Sequence, residues 1–142
     1  MRNPTSRLLA AALLLACAAG QAAELVVIVS ARSSVATLRP DQVAAIFLGQ
    51  SPRFPGGALA EAVDQPLGSQ ERNTFYQRVA GKSPALLKAH WSKMVFTGRG
   101  QPPRELPGSA AVRRAVAEDP GLIGYIERDA LDPSVRQVLL VP

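Results

Sequence analysis

Residues 60–81 read AEAVDQPLGSQERNTFYQRVAG, and this passage decides the fold class. Ala60–Asp64 has the length and apolar content of a short strand. Pro66 and Gly68 break it with a turn. Ser69 then stands at a helix N-cap, with Glu71 in the first turn, where a negative charge suits the helix dipole. Phe75 and Val79 lie four apart on one face, and Gly81 stops the helix. A strand running directly into a capped helix is the unit of an α/β layered domain.

The flanking sequence extends the alternation. Upstream, Glu24–Ser30 (ELVVIVS) is a continuous, β-branched apolar run and predicts a buried strand of a parallel or mixed sheet. Ala31–Thr37 is a polar connection. Pro40 takes a first helical position with Asp41 beside it, and Val43, Ile46 and Phe47 form one apolar face before Gly49. Gln50–Gly57, with two prolines and two glycines, is a loop. Downstream, Ser83-Pro84 opens a helix with Leu87, Trp91, Met94 and Val95 expected on one side. Thr97–Gly108 (TGRGQPPRELPG) is the longest irregular stretch. Ser109 caps a further helix with Val112 and Val116 inward. Asp119-Pro120-Gly121 turns into a strand at Ile123–Ile126, and Val135–Val141 is the last strand. The expectation is an α/β domain, a mixed sheet flanked by helices.

The first 23 residues have a different character. Arg2 and Arg7 precede the apolar run Leu8–Ala16, and small residues follow to Ala23, the pattern of a secretory leader. Gly20 and Ala22 make the better small-x-small cleavage site. The apolar run is too short to span a bilayer. Residues 1–23 are therefore expected to be a signal peptide, residues 24–142 the folded domain, and the compartment periplasmic. Cys17, the one cysteine, lies within Leu14-Leu15-Ala16-Cys17, which resembles a bacterial lipobox; a lipid anchor there is the alternative to an ordinary leader. Either way the domain has no disulfide. Taking 23 residues and two arginines from 142 residues at +5 leaves 119 at +3. That mild charge, with aromatics at 5%, excludes a nucleic-acid-binding composition.

Few residues carry chemistry. One histidine, His90, and no cysteine beyond Cys17 exclude a His/Cys metal site. No nucleophile-elbow pattern accompanies His90, and the carboxylate pairs sit at turns and helix ends, so neither an enzyme nor a cofactor is expected. The start of the helix after Gly68 is the best site candidate. Backbone N–H groups at such an end are unpaired, and the dipole favours an anion. Gly68, Ser69 and Gln70 frame it, and Arg72 one turn in adds charge. Ser69 also reads as an ordinary cap. Gly98-Arg99-Gly100 offers a second backbone nest for an anion, or a plain surface loop.

The combination of Leu38…Val43-Ala44-Ala45-Ile46-Phe47-Leu48-Gly49, a Pro/Gly loop, Ala62-Val63-Asp64-Gln65-Pro66-Leu67-Gly68-Ser69, Phe96-Thr97-Gly98-Arg99-Gly100-Gln101-Pro102-Pro103 and Pro120-Gly121-Leu122-Ile123-Gly124-Tyr125-Ile126 is similar to phosphate ABC-transporter substrate-binding proteins. It looks closest to their short, periplasmic-binding-protein-like branch. The resemblance spans roughly residues 25–141. It implies a single lobe of a fold whose full-length members clamp an anion between two lobes. It also aligns the family's Arg-x-x-Gly-Ser-Gly-Thr loop with Gln65-Pro66-Leu67-Gly68-Ser69-Gln70-Glu71. Gly68 and Ser69 match. Gln65 replaces the bidentate arginine and Glu71 the threonine; both changes weaken a phosphate site. Arg72 or Arg99 would have to compensate.

Two functions follow as expectations. In the first, the domain binds phosphate or a similar oxoanion through Gly68, Ser69, Gln70, Arg72, Gln65 and Arg99, weakly, at about millimolar or roughly 4 kcal/mol. In the second, the lobe no longer binds phosphate and its cleft face contacts a permease, a sensor protein or a second copy of itself. A large exposed apolar patch on that face favours a partner; a charged, wet surface favours the anion.

Overall fold

The computed structural model describes residues 23–142. The leader expectation and Cys17 lie outside the described residues, apart from Ala23. Five strands and four helices follow in the order β1 (Leu25–Ser30), α1 (Pro40–Phe47), β2 (Glu61–Asp64), α2 (Gln70–Ala80), α3 (Pro84–Phe96), β3 (Arg104–Glu105), α4 (Ser109–Glu118), β4 (Leu122–Glu127) and β5 (Val135–Leu140), with a short 3₁₀ turn at Arg128–Ala130. The sheet order is β3-β2-β4-β1-β5. β1 runs antiparallel to both β4 and β5, whereas β2 runs parallel to β3 and β4. The sheet is therefore mixed and flanked by helices, as expected.

β1 explains why its sequence does not alternate. All six residues are buried, because the strand is internal and both faces are covered. Its odd positions, Leu25, Val27 and Val29, pack with α1, α2 and α3 around Phe47, Phe75 and Tyr125. Its even positions, Val26 and Ile28, pack with Val112 and Val116 of α4. The Phe75 and Tyr125 rings stack at 3.9 Å between centroids, and Phe47 meets Phe75 edge-on at 4.7 Å. Gly124 of β4 lets α4 come close: a Cβ there would lie 2.5 Å from Val112 Cγ1.

Two expectations change. Thr97–Gly108 is not wholly irregular, since Arg104 and Glu105 form β3 beside Val63 and Asp64. Two residues in a proline-rich stretch carry no local strand signal; the pairing comes from the β2 edge. On α3, Leu87 and Trp91 are buried and Met94 is half-buried, but Val95 is exposed. The four positions share one arc of about 100°, but Val95 stands at its uncovered edge near the end of the helix.

Candidate functional site

The turn from β2 to α2 sits above the buried end of β2. Asp64, the last residue of β2, is fully buried. Its Oδ2 accepts the Tyr76 hydroxyl at 2.6 Å, and its Oδ1 accepts the Tyr125 hydroxyl and the Gln65 N–H. Burial holds the Asp64 carboxyl above the usual carboxylate range, against the pull of both hydroxyls and of the Arg72 charge. Burial, and then the Asp64 charge, push both tyrosine hydroxyls well above their ordinary range. This buried polar set fixes the base of the turn.

Gln65 is turned inward. Its Nε2 donates to Ser109 Oγ at 3.1 Å and to the Tyr125 carbonyl at 3.0 Å, tying β2 to the start of α4. Gly68 takes a φ of +83°, which reverses the chain into α2 and suits only glycine without strain. Ser69 Oγ accepts the Arg72 N–H at 3.3 Å, an N-cap bond. Gln70 is exposed at the first helical position.

Arg72 is 7% exposed. Its Nη1 donates to Glu105 Oε1 at 2.6 Å and to the Gln65 carbonyl at 3.3 Å, lies 3.8 Å from Asp64 Oδ2, and its guanidinium stands 5.7 Å over the Tyr76 ring. Glu105 Oε1 also accepts the Leu67 N–H at 2.9 Å. One carboxylate oxygen thus bridges a backbone N–H of the β2–α2 turn and the nearest guanidinium. The β2–β3 register, which sets Glu105 opposite Asp64, puts it there. The Thr97–Gly108 segment accordingly folds toward the α2 start. Arg99 does not follow it: its backbone N–H is tied to the Met94 carbonyl, its side chain is exposed, and no hydrogen bond or ion pair links it to the α2 start.

A second acidic feature flanks the helix start. Glu127, at the end of β4, has its carboxyl raised above the usual range, first by the neighbouring Glu71 carboxyl, then by partial burial, then by the Glu71 and Asp129 charges. The α2 start is therefore flanked by Glu71 and Glu127 on one side and Glu105 on the other. His90 lies apart, its Nε2 at 2.8 Å from the Leu48 carbonyl. Among the described residues no group of three or more His, Cys, Asp or Glu could hold a metal ion.

Beside Glu105 opens a groove of about 1090 Å³, walled by Leu67, Leu87, Trp91, Phe96, Pro102 and Pro103 among others. Two of these apolar side chains are strongly exposed, Leu67 at 77% and Phe96 at 91%. Sequence reasoning missed Glu105 because nothing local marks it; its partner Leu67 is 38 residues away. Asp64 carried a signal that went unread: a lone acid closing an apolar strand needs buried donors, and tyrosines were available.

No protein-family model and no curated protein matches the chain. Solved structures do. A candidate phosphate ABC-transporter substrate-binding protein from Clostridium perfringens, with bound phosphate, superposes at a TM-score of 0.66 and 22% identity, covering 82% of this chain and 44% of that one. An ABC-type phosphate transport receptor from Vibrio cholerae gives 0.64 and 17%, covering 82% and 45%. PstS from Borrelia burgdorferi gives 0.58 and 14%, covering 80% and 46%. The chain shares their fold and spans less than half of their length; it has the architecture of a single periplasmic-binding-protein lobe.

Proposed function

We propose that the chain is an exported, non-catalytic lobe that contacts another envelope protein through the face on which two-lobed members of the resembled family close over their ligand. The partner class is a permease or sensor component. The bond pair made by Glu105 carries this reading. An oxoanion at the α2 start would draw on the Leu67 N–H and on Arg72, and Glu105 Oε1 already accepts from both. Glu71 and Glu127 add negative charge to the same approach, and the neighbouring surface is an open apolar groove, the kind of surface that marks a protein contact.

The oxoanion reading stands second. The N–H groups of Gln70 and Glu71 lie in the first turn of α2, where no intrahelical acceptor exists, and one structural neighbour was solved with phosphate bound. In that reading Gly68, Ser69 and Gln70 hold the anion, Gln65 orders the turn, and Arg72 must leave Glu105 or Arg99 must swing in. Equilibrium dialysis against phosphate separates the two. The interaction reading expects no retention by the wild-type domain, up to about tens of millimolar, beyond that of a chloride control. Saturable retention that Ser69→Ala abolishes would establish the oxoanion site instead.

A further inference from the structure

We propose that the groove between α3 and the β2–α2 turn receives an acidic, amphipathic polypeptide segment: apolar side chains entering the groove, carboxylates meeting its cationic surround. This rests on the interaction reading and adds the chemistry of the partner.

The groove's shape favours a segment. Its wall follows α3 from Pro84 to Phe96, about 18 Å at helical rise. Its volume of about 1090 Å³ lies at the upper limit of small-molecule pockets. α3 is under-buried for its composition, since only Leu87 and Trp91 of its 13 residues are buried. Leu67, Val95 and Phe96 stand exposed along the groove instead, arranged as the receiving side of a helix-in-groove contact.

Charge selects the kind of segment. Three charged residues line the groove: Arg72 and Glu105, which pair with each other, and Lys88. Lys88 lies in the groove wall. Lys93 lies on α3 and Arg99 in the segment that follows it. Lys88, Lys93 and Arg99 are all exposed, and none belongs to an ion pair among the described residues. A cationic field around an apolar groove recruits a partner bearing carboxylates and repels a basic one.

Other occupants fit less well. A second copy docking by two-fold symmetry would set one cationic surround against the other. An anionic membrane satisfies the charge, but a planar surface does not fill a concave groove whose floor residues, Leu87 and Trp91, are recessed.

Trp91 is the only tryptophan, so its fluorescence reports on the groove directly. The probes are an amphipathic peptide of Leu, Ala and Glu, about five turns long, the same peptide with Lys for Glu, and phosphatidylglycerol vesicles, each titrated into the domain. The expected result is a saturable Trp91 shift with the acidic peptide alone, weakening steeply with added salt. The Lys88→Glu variant, checked for an unchanged melting temperature, should lose at least about tenfold in affinity for it. Phe96→Ser should weaken it too, through the apolar contact. An equal or stronger response to the Lys peptide overturns the acidic partner and leaves the interaction reading standing. A response to vesicles alone replaces the polypeptide with a membrane surface. A response to no probe overturns the proposal; if phosphate is also retained in dialysis, the interaction reading falls with it.

Discussion

Asp64 keeps its place in the core because Tyr76, Tyr125 and the Gln65 N–H surround it. Tyr125→Phe removes one of those donors and should cost about 1–3 kcal/mol in urea unfolding at neutral pH. Burial raises the Asp64 carboxyl, but the Tyr125 hydroxyl bond works against that by favouring the ionised form. The cost of Tyr125→Phe should therefore shrink as pH falls and Asp64 takes up a proton; a cost that grows on acidification would refute this reading of the site. Glu127 gives the complementary test at the surface. Its carboxyl is raised by Glu71, so the associated stability is fully present below the ordinary glutamate range and is lost as pH rises through the raised value. Glu127→Gln should raise the melting temperature at pH 8 and leave it unchanged near pH 4. Neither effect could be read from sequence. Asp64 and Tyr125 are 61 residues apart, and the Glu71–Glu127 pair forms only when β4 and the start of α2 come together.

Elements were more legible than contacts. The apolar run at Glu24–Ser30, the cap at Ser69 and the proline at residue 84 each mark a boundary within a residue or two of the observed one, because caps and prolines act locally. β3 escaped because its two residues owe their conformation to the β2 edge. Gly124 was visible as a glycine inside a strand, but its reason is the approach of α4. Gly124→Ala should destabilise by about 1–3 kcal/mol through the clash with Val112, and Val112→Ala in the same chain should recover part of that loss in urea titrations. Ser69→Ala should cost about 1 kcal/mol as a lost cap. A cap acts without ligand, so this cost should be equal in phosphate and in chloride.

At the scale of the molecule, one lobe presents a face with two characters. The α2 start is held by internal bonds and flanked by Glu71, Glu105 and Glu127. The adjoining groove is apolar and open, with exposed Lys88 in its wall. The fold class was legible because alternating strands and helices leave few layer architectures. The state of the β2–α2 turn was not, because Glu105 reaches it from 38 residues away. The most direct test is a thermal-shift titration of residues 24–142 in phosphate-free buffer, with phosphate, sulfate and chloride at matched ionic strength, on the wild type and on Glu105→Gln. A ligand confined to the folded state raises the melting temperature with its occupancy. With Glu105 Oε1 already accepting from the Leu67 N–H and from Arg72, the wild type should respond to phosphate no more than to chloride, and any phosphate-specific rise should appear only in Glu105→Gln. A saturable, phosphate-specific rise in the wild type would contradict this and make the α2 start a working oxoanion site.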